Sequence, residues 1–167
     1  MARIDPVKLG RWYDEYAAPL ALFARSVLPS GQSEDVVQDV FIRLMSERCE
    51  PTNVKAWLYR SVRNASVSSL RSSRRRQRRE RVQTTVNTEA FESRPDDLID
   101  ARTACCLLGS LDKVHREVVV LKIWADLTLK EIAEITDASV TTVFRRYQEG
   151  LVEIKKGMSS PCHNTNI

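Results

Sequence analysis

The chain has 167 residues, 43% of them hydrophobic and 29% charged, with 26 Lys and Arg against 22 Asp and Glu and a net charge of +4. That length accommodates one domain or two small ones, and the composition excludes wholesale disorder and collagen-like or coiled-coil-only architectures. No stretch approaches the roughly 18–20 consecutive apolar residues of a membrane span, and the opening MARIDPVKLG carries charges where a signal peptide has its apolar run. The expectation is a cytosolic protein without membrane insertion.

In chain order, GRWYDEYAAPLALFARSVLP reads as a first helix with Tyr16, Leu20 and Phe23 at i, i+4, i+7, stopped by Pro29 and Gly31. Ser33 is placed to cap a second helix, with Glu34 and Asp35 in the first turn and Val37, Val40, Phe41 and Leu44 as its apolar stripe. The opposite face carries Glu34, Asp35, Gln38, Asp39 and Arg43, an acidic, amide-bearing surface. After the loop CEPTNVK, a third helix is expected from about Val54, with Trp57, Leu58, Val62 and Ala65 inward and Arg60, Arg63 and Asn64 on other faces. It runs into RSSRRRQRRER, seven arginines between positions 71 and 81. Whether tail or basic helical extension, that many like charges call for a polyanionic partner, and nucleic acid suits them best.

The segment from Val82 to Pro95 is polar, aperiodic and increasingly acidic, as in a solvated linker. Apolar periodicity resumes with Leu98, Ala101, Cys105 and Leu108 in a helix that starts at Asp96-Asp97 and ends near Gly109-Ser110. KVHREVVVLKIWADL is too long for a strand and favours a helix through Val118, Leu121, Lys122 and Ala125. Thr128 with Glu131 forms a capping-box pattern for TLKEIAEIT, with Leu129, Ile132, Ala133 and Ile135 inward. A tight break at Asp137-Ala138 follows. Ser139 then caps a last helix that buries Val140, Val143, Tyr147, Leu151 and Ile154 and leaves Thr141, Thr142, Arg145, Arg146 and Glu149 outside. The fold expected is all-α: two small helical domains joined by a flexible linker, the second containing a helix-turn-helix.

A short helix, a tight turn and a helix bearing Thr and Arg near its exposed N-terminus match a DNA reader, because such a helix end fits the major groove and those side chains meet base edges. Asp137 stands where glycine is commoner, and Phe144 puts a bulky apolar group beside the reading face. No Gly-rich phosphate loop, nucleophile–base arrangement or metal-ligand cluster is apparent, so no enzyme activity, metal or cofactor is expected. His115 is expected at the surface, and Cys162-His163 near the end do not make a metal site. Cys49, Cys105, Cys106 and Cys162 lack zinc-site spacing and are taken as reduced thiols, with Cys105 and Cys106 as small core residues.

Together, SEDVVQDVFIRLMSE followed by NVKAWLYRSVRNASVSSLRSSRRR resembles region 2 of bacterial sigma factors of the extracytoplasmic-function group, in the sigma-70 family. LDKVHREVVVLKIWADLTLKEIAEITDASVTTVFRRYQEGLVEIKK resembles their region 4. The resemblance implies a region 2 domain at 1–81, a linker at 82–95, a region 4 domain at 96–158 and a tail at 159–167. It implies that Asp35, Gln38, Asp39 and Arg43 dock on core RNA polymerase, whose β′ clamp helices and β flap are the expected contacts. Asn53, Lys55, Arg60, Arg63, Asn64, Arg71, Arg74 and Arg75 would recognise and open the −10 promoter element, and Thr141, Thr142, Arg145 and Arg146 would read the −35 element. The linker, with Glu89, Glu92, Asp96 and Asp97, would thread through the polymerase. Many family members are held by an anti-sigma factor, a further partner to expect. The competing reading is a stand-alone helix-turn-helix regulator; a third is an RNA-binding adaptor.

Overall fold

The computed structural model describes residues 4–28, 31–47, 49–79 and 106–159. Every element among them is helical, as the periodicities require. The chain divides into two compact units, 1–89 and 90–167. The expected linker, and the helix expected from 96 as far as residue 105, lie outside the described residues, as do Cys105 and Cys162-His163.

In the first unit, helix α1 spans Pro6–Val27, α2 Ser33–Ser46 and α3 Val54–Arg79. Helix α1 begins four residues before the GRWYDEY segment. Asp5 accepts the Val7 amide at 3.0 Å as its cap, and Pro6 occupies the first turn, where a missing N–H has no cost. Pro19 lies within the helix without ending it. Leu28, preceding Pro29, is extended at φ −99°, ψ 154°, and Gly31 supplies a φ of +95°, so the stop reads as expected. Ser33 is not the cap. Gln32 already has helical backbone angles, and the Ser33 hydroxyl is spent on the Glu34 carboxylate at 2.8 Å. The Asn53 Oδ1 accepts the Ala56 amide at 3.0 Å and starts α3.

The core of this unit joins Leu20, Phe23 and Ala24 of α1, Val37, Val40, Phe41 and Leu44 of α2, and Leu58, Tyr59 and Val62 of α3. Phe23 and Tyr59 meet edge-to-face, centroids 5.5 Å apart, and burial pushes the Tyr59 phenol well above its ordinary pKa. Tyr59, not Trp57, is the large aromatic of the α3 core; Trp57 and Ala65 are half-buried instead of inward.

In the second unit a helical segment at 106–110 precedes α4, Lys113–Ile123, then α5, Leu129–Thr136, and α6, Val140–Ser159. Helix α4 packs on α6 and α5, and α5 on α6, around Val118, Val119, Leu121, Ile132, Ile135 and Val143. Arg116 reaches back to the carbonyl oxygens of Leu108, Gly109 and Leu111 at 2.7, 2.9 and 2.8 Å, satisfying the end of the preceding helical segment. Leu129, Tyr147, Leu151 and Ile154, expected inward, are half-buried, and two further residues expected inside are exposed. Val140 is 45% exposed, because it stands before the first buried turn; Gly150 is the buried small residue further along. Cys106 is exposed, while Leu107 and Leu108 face the core.

Candidate functional site

The second helix presents Asp35, Gln38, Asp39 and Arg43 to solvent, all exposed as the pattern required. Their register is i, i+3, i+4, i+8, with Val36, Val37, Val40, Phe41 and Leu44 turned inward. Ile42 falls in the middle of that outward face and is 59% exposed. Beside it, α1 and α2 enclose an open groove of about 460 Å³ lined by Pro6, Leu9, Tyr13 and Asp14 on one side and Gln38, Phe41, Ile42 and Met45 on the other. Tyr13 leans edge-to-face on Phe41 at 5.0 Å and forms part of its wall. An acidic face read from charges alone is thus an apolar apex and groove with an acidic rim. The signal was available: Ile42 and Met45 break the inward stripe of the helix.

At the far end of α2, Arg25 of α1 pairs with Glu34, and together with Ser33 it holds the Glu34 carboxyl at about 2, from an ordinary 4.5. Glu34 therefore ties α1 to α2. It is a different group from the solvent-facing Asp35 and Asp39.

Helix α3 sorts the predicted strand-opening residues. Arg60, Asn64, Arg71, Arg74 and Arg75 are exposed and fall along the side opposite Leu58, Val62 and Ser66. From Arg60 to Arg75 that row runs about 22 Å at 1.5 Å per residue. The arginine block is helical through Arg79, so the basic extension of the two readings is the one formed. Arg63 is half-buried on the flank, Lys55 is half-buried on the side of Leu58 and Val62, and the Asn53 Oδ1 is engaged as a cap.

In the second unit, the Thr128 hydroxyl accepts the Glu131 amide while the Glu131 carboxylate accepts from the Thr128 amide at 2.8 Å, closing the predicted capping box. Asp137 sits in the left-handed region at φ 52°, ψ 43°, the turn conformation that glycine usually takes and Asp tolerates. The Ser139 hydroxyl accepts the Thr142 amide at 3.1 Å and fixes the start of α6. Helix, three-residue turn and second helix make a helix-turn-helix. Its outer row is Thr141, Phe144, Arg145, Gln148 and Val152, at i, i+3, i+4, i+7, i+11, all exposed. Thr142 is half-buried with its hydroxyl on Ser139 at 2.8 Å, and Arg146, half-buried, lies about 100° around the helix from Arg145. The structure therefore brings Thr141 and Arg145 onto one face and leaves Thr142 and Arg146 on its edge. Gln148, unnoticed in the sequence, joins that face.

His115 is no mere surface residue. Its Nδ1 lies 2.9 Å from Glu153 and its Nε2 3.2 Å from Glu149, so α4 is tied to α6 behind the reading face. Among the described residues no group of three or more His, Cys, Asp or Glu is placed to hold a metal ion, and no helix is long and apolar enough to cross a membrane.

A helix-turn-helix unit preceded by a separate three-helix unit with a basic helix defines a DNA-binding transcription protein of two parts. The family models agree: residues 12–76 match sigma-70 region 2 and residues 106–154 match sigma-70 region 4. The chain belongs to the sigma-70 family and is an RNA polymerase sigma factor. It is 26% identical over 120 residues to RNA polymerase sigma factor SigV of Bacillus subtilis (strain 168), covering 70% of each chain. Its fold is similar to that of the sigma factor RpoE from Bartonella quintana, solved with the anti-sigma factor NepR: TM-score 0.76, 20% identity, 92% of this chain and 98% of the other. It is also similar to CnrH solved with the cytosolic domain of CnrY, TM-score 0.65 at 23% identity over 94% of this chain and 91% of that one.

Proposed function

We propose that this chain, without catalytic activity of its own, docks on core RNA polymerase through α2 and the α1–α2 groove, opens the −10 element along α3 and reads the −35 element with α6. The observation that carries the docking reading is Ile42 at the centre of the Asp35–Gln38–Asp39 face, next to a groove that Met45 and Tyr13 leave open. An apolar anchor inside a polar rim is the anatomy of a binding hot spot, and the acidic rim selects a basic partner surface such as the clamp helices.

On α3, the row from Arg60 to Arg75 supplies positive charge along the length a strand backbone would follow. Unstacking one base costs a few kcal/mol, which cationic backbone contacts and capture of the base offset. Asn53 and Lys55 stand at the start of the helix and Arg63 about two and a half turns further along, where the extruded base is held; Asn53 does so from a cap position that fixes the loop. The domain limits proposed are region 2 at 1–81, linker at 82–95, region 4 at 96–158. The site of action is the bacterial cytoplasm, where the polymerase is. RpoE and CnrH were each solved with a protein bound, and we propose that this chain too has an anti-sigma partner, one that competes for the α2 face.

The test is co-elution of the purified chain with core polymerase at moderate salt. Ile42→Arg should weaken association about 30-fold or more, as loss of a central hot spot does, with helical content unchanged; Asp39→Arg should weaken it through the rim. Normal association of both variants would remove this face from the docking reading. Duplex binding at full strength without polymerase would favour the stand-alone regulator.

A further inference from the structure

Phe144 is 49% exposed on the outer row of α6, between Thr141 and Arg145 and one turn before Gln148. Helix α6 has ample apolar contact elsewhere: Val143 is fully buried, Gly150 lies against Val119, and Tyr147, Leu151 and Ile154 are half-buried along the inner side. Phe144 stands outside that core, with about half of its surface exposed. A phenyl ring held in water at the edge of a polar reading face, about 100° around the helix from Arg145 and next to Val140, has an unfavourable exposure that a partner surface can relieve. It neither donates nor accepts a hydrogen bond, so it can meet neither a phosphate nor the polar edge of a base. The apolar group that the major groove offers is the C5-methyl of thymine.

We infer that Phe144 is a specificity-determining residue that packs on a thymine methyl in the −35 element. The inference rests on the proposal that α6 reads that element. Thr141 and Arg145, on the same face, bring the ring to the groove floor: Arg145 by hydrogen bonds to guanine or to backbone, Thr141 from the N-terminal turn of the helix. Thr142 is not an alternative methyl reader, since it is half-buried and its hydroxyl is held by Ser139. Val140, 45% exposed one turn earlier, extends the same apolar edge toward the helix start.

The experiment uses the full chain bound to core polymerase. The −35 sequence is first selected from duplexes randomised upstream of a fixed −10 element; each thymine in the selected sequence is then replaced singly by deoxyuridine, which removes the methyl group alone. Competition binding should show one position where that replacement weakens the wild type about fourfold, the worth of one buried methyl-sized group. Phe144→Ala should bind thymine and deoxyuridine alike at that position, with selectivity elsewhere retained. Wild-type indifference to the methyl at every thymine overturns the proposal, as does a selected element without thymine, or a methyl effect that survives in Phe144→Ala. Failure of the holoenzyme to select any upstream sequence, with Arg145→Ala unchanged from wild type, would instead overturn the −35 reading of α6 and the Phe144 assignment with it.

Discussion

The two units hold themselves together by different means. The second is fixed by local devices, a reciprocal capping box at Thr128 and Glu131, a left-handed Asp137, a Ser139 cap and an Arg116 fork on three carbonyls, and by a contact between distant parts of the chain, His115 between Glu149 and Glu153. The first, capped at Asp5 and Asn53 and tied by Arg25–Glu34, gathers exposed apolar side chains into one groove, with Ile42, Met45 and Tyr13 between α1 and α2. A helix that must enter a groove of DNA at a set angle gains from being rigid before it binds, since ordering costs are then met in folding. A surface meant for a large protein partner can keep apolar groups exposed and bury them on assembly.

The sharpest way to break the second unit is at Gly150. A Cβ there would meet Val119 Cγ2 at 2.8 Å and His115 Cβ at 3.4 Å, where α4 crosses α6. Val119 is fully buried and stiff at its branched carbon, so the neighbour has little room to yield. Gly150→Ala should destabilise this unit by about 2 kcal/mol through overpacking. The expected readout is faster hydrogen exchange at Glu117–Leu121 with the α1–α3 amides unchanged. A gain in stability would show that the helices part at no cost. Gly157 is a milder case, since only the far end of Leu107 stands in the way at 2.7 Å.

Next in size is Thr128→Ala, which removes one half of the capping box and should cost about 1 kcal/mol in the same unit. Thr128→Ser should restore most of it. If both variants lose stability equally, the methyl group and not the hydroxyl is what the site uses.

These same devices explain what could be read in the sequence. Thr128-x-x-Glu131, Asp137 at a break and Ser139 before an apolar stripe are contacts within a few residues, so their spacing carries the structure, and all three formed as read. The α2 stripe was legible for the same reason. What escaped depends on partners distant in the chain. His115 meets residues 34 and 38 positions away, so nothing nearby marks it. Periodicity places Val140 inward, but it stands ahead of Val143, the first fully buried residue of α6, and is exposed. On the outer face of α2, proposed for docking, the charged residues alone read as an acidic surface. Ile42 gained meaning only when α1 was seen to leave it uncovered.

The smallest effect should come from the ion pair Arg25–Glu34, which joins α1 to α2. Arg25, helped by Ser33, holds the Glu34 carboxyl at about 2, below its ordinary 4.5. A carboxylate depressed in the folded state stabilises above its unfolded pKa, and that contribution is lost as pH falls from about 4.5 toward 2. Both side chains stand partly in solvent, which limits the pair to under about 1 kcal/mol. Arg25→Ala should therefore lower the stability of the first unit slightly at pH 7 and flatten its decline between pH 5 and pH 3, each by less than about 1 kcal/mol. High salt should bring wild type and variant together, because an exposed pair is screened. The second unit should show no change in either condition. If the Glu34 titration, followed by NMR, stays near 2 in Arg25→Ala, then Ser33 and the helix start hold the carboxylate, and α1 and α2 are joined by their apolar contacts alone.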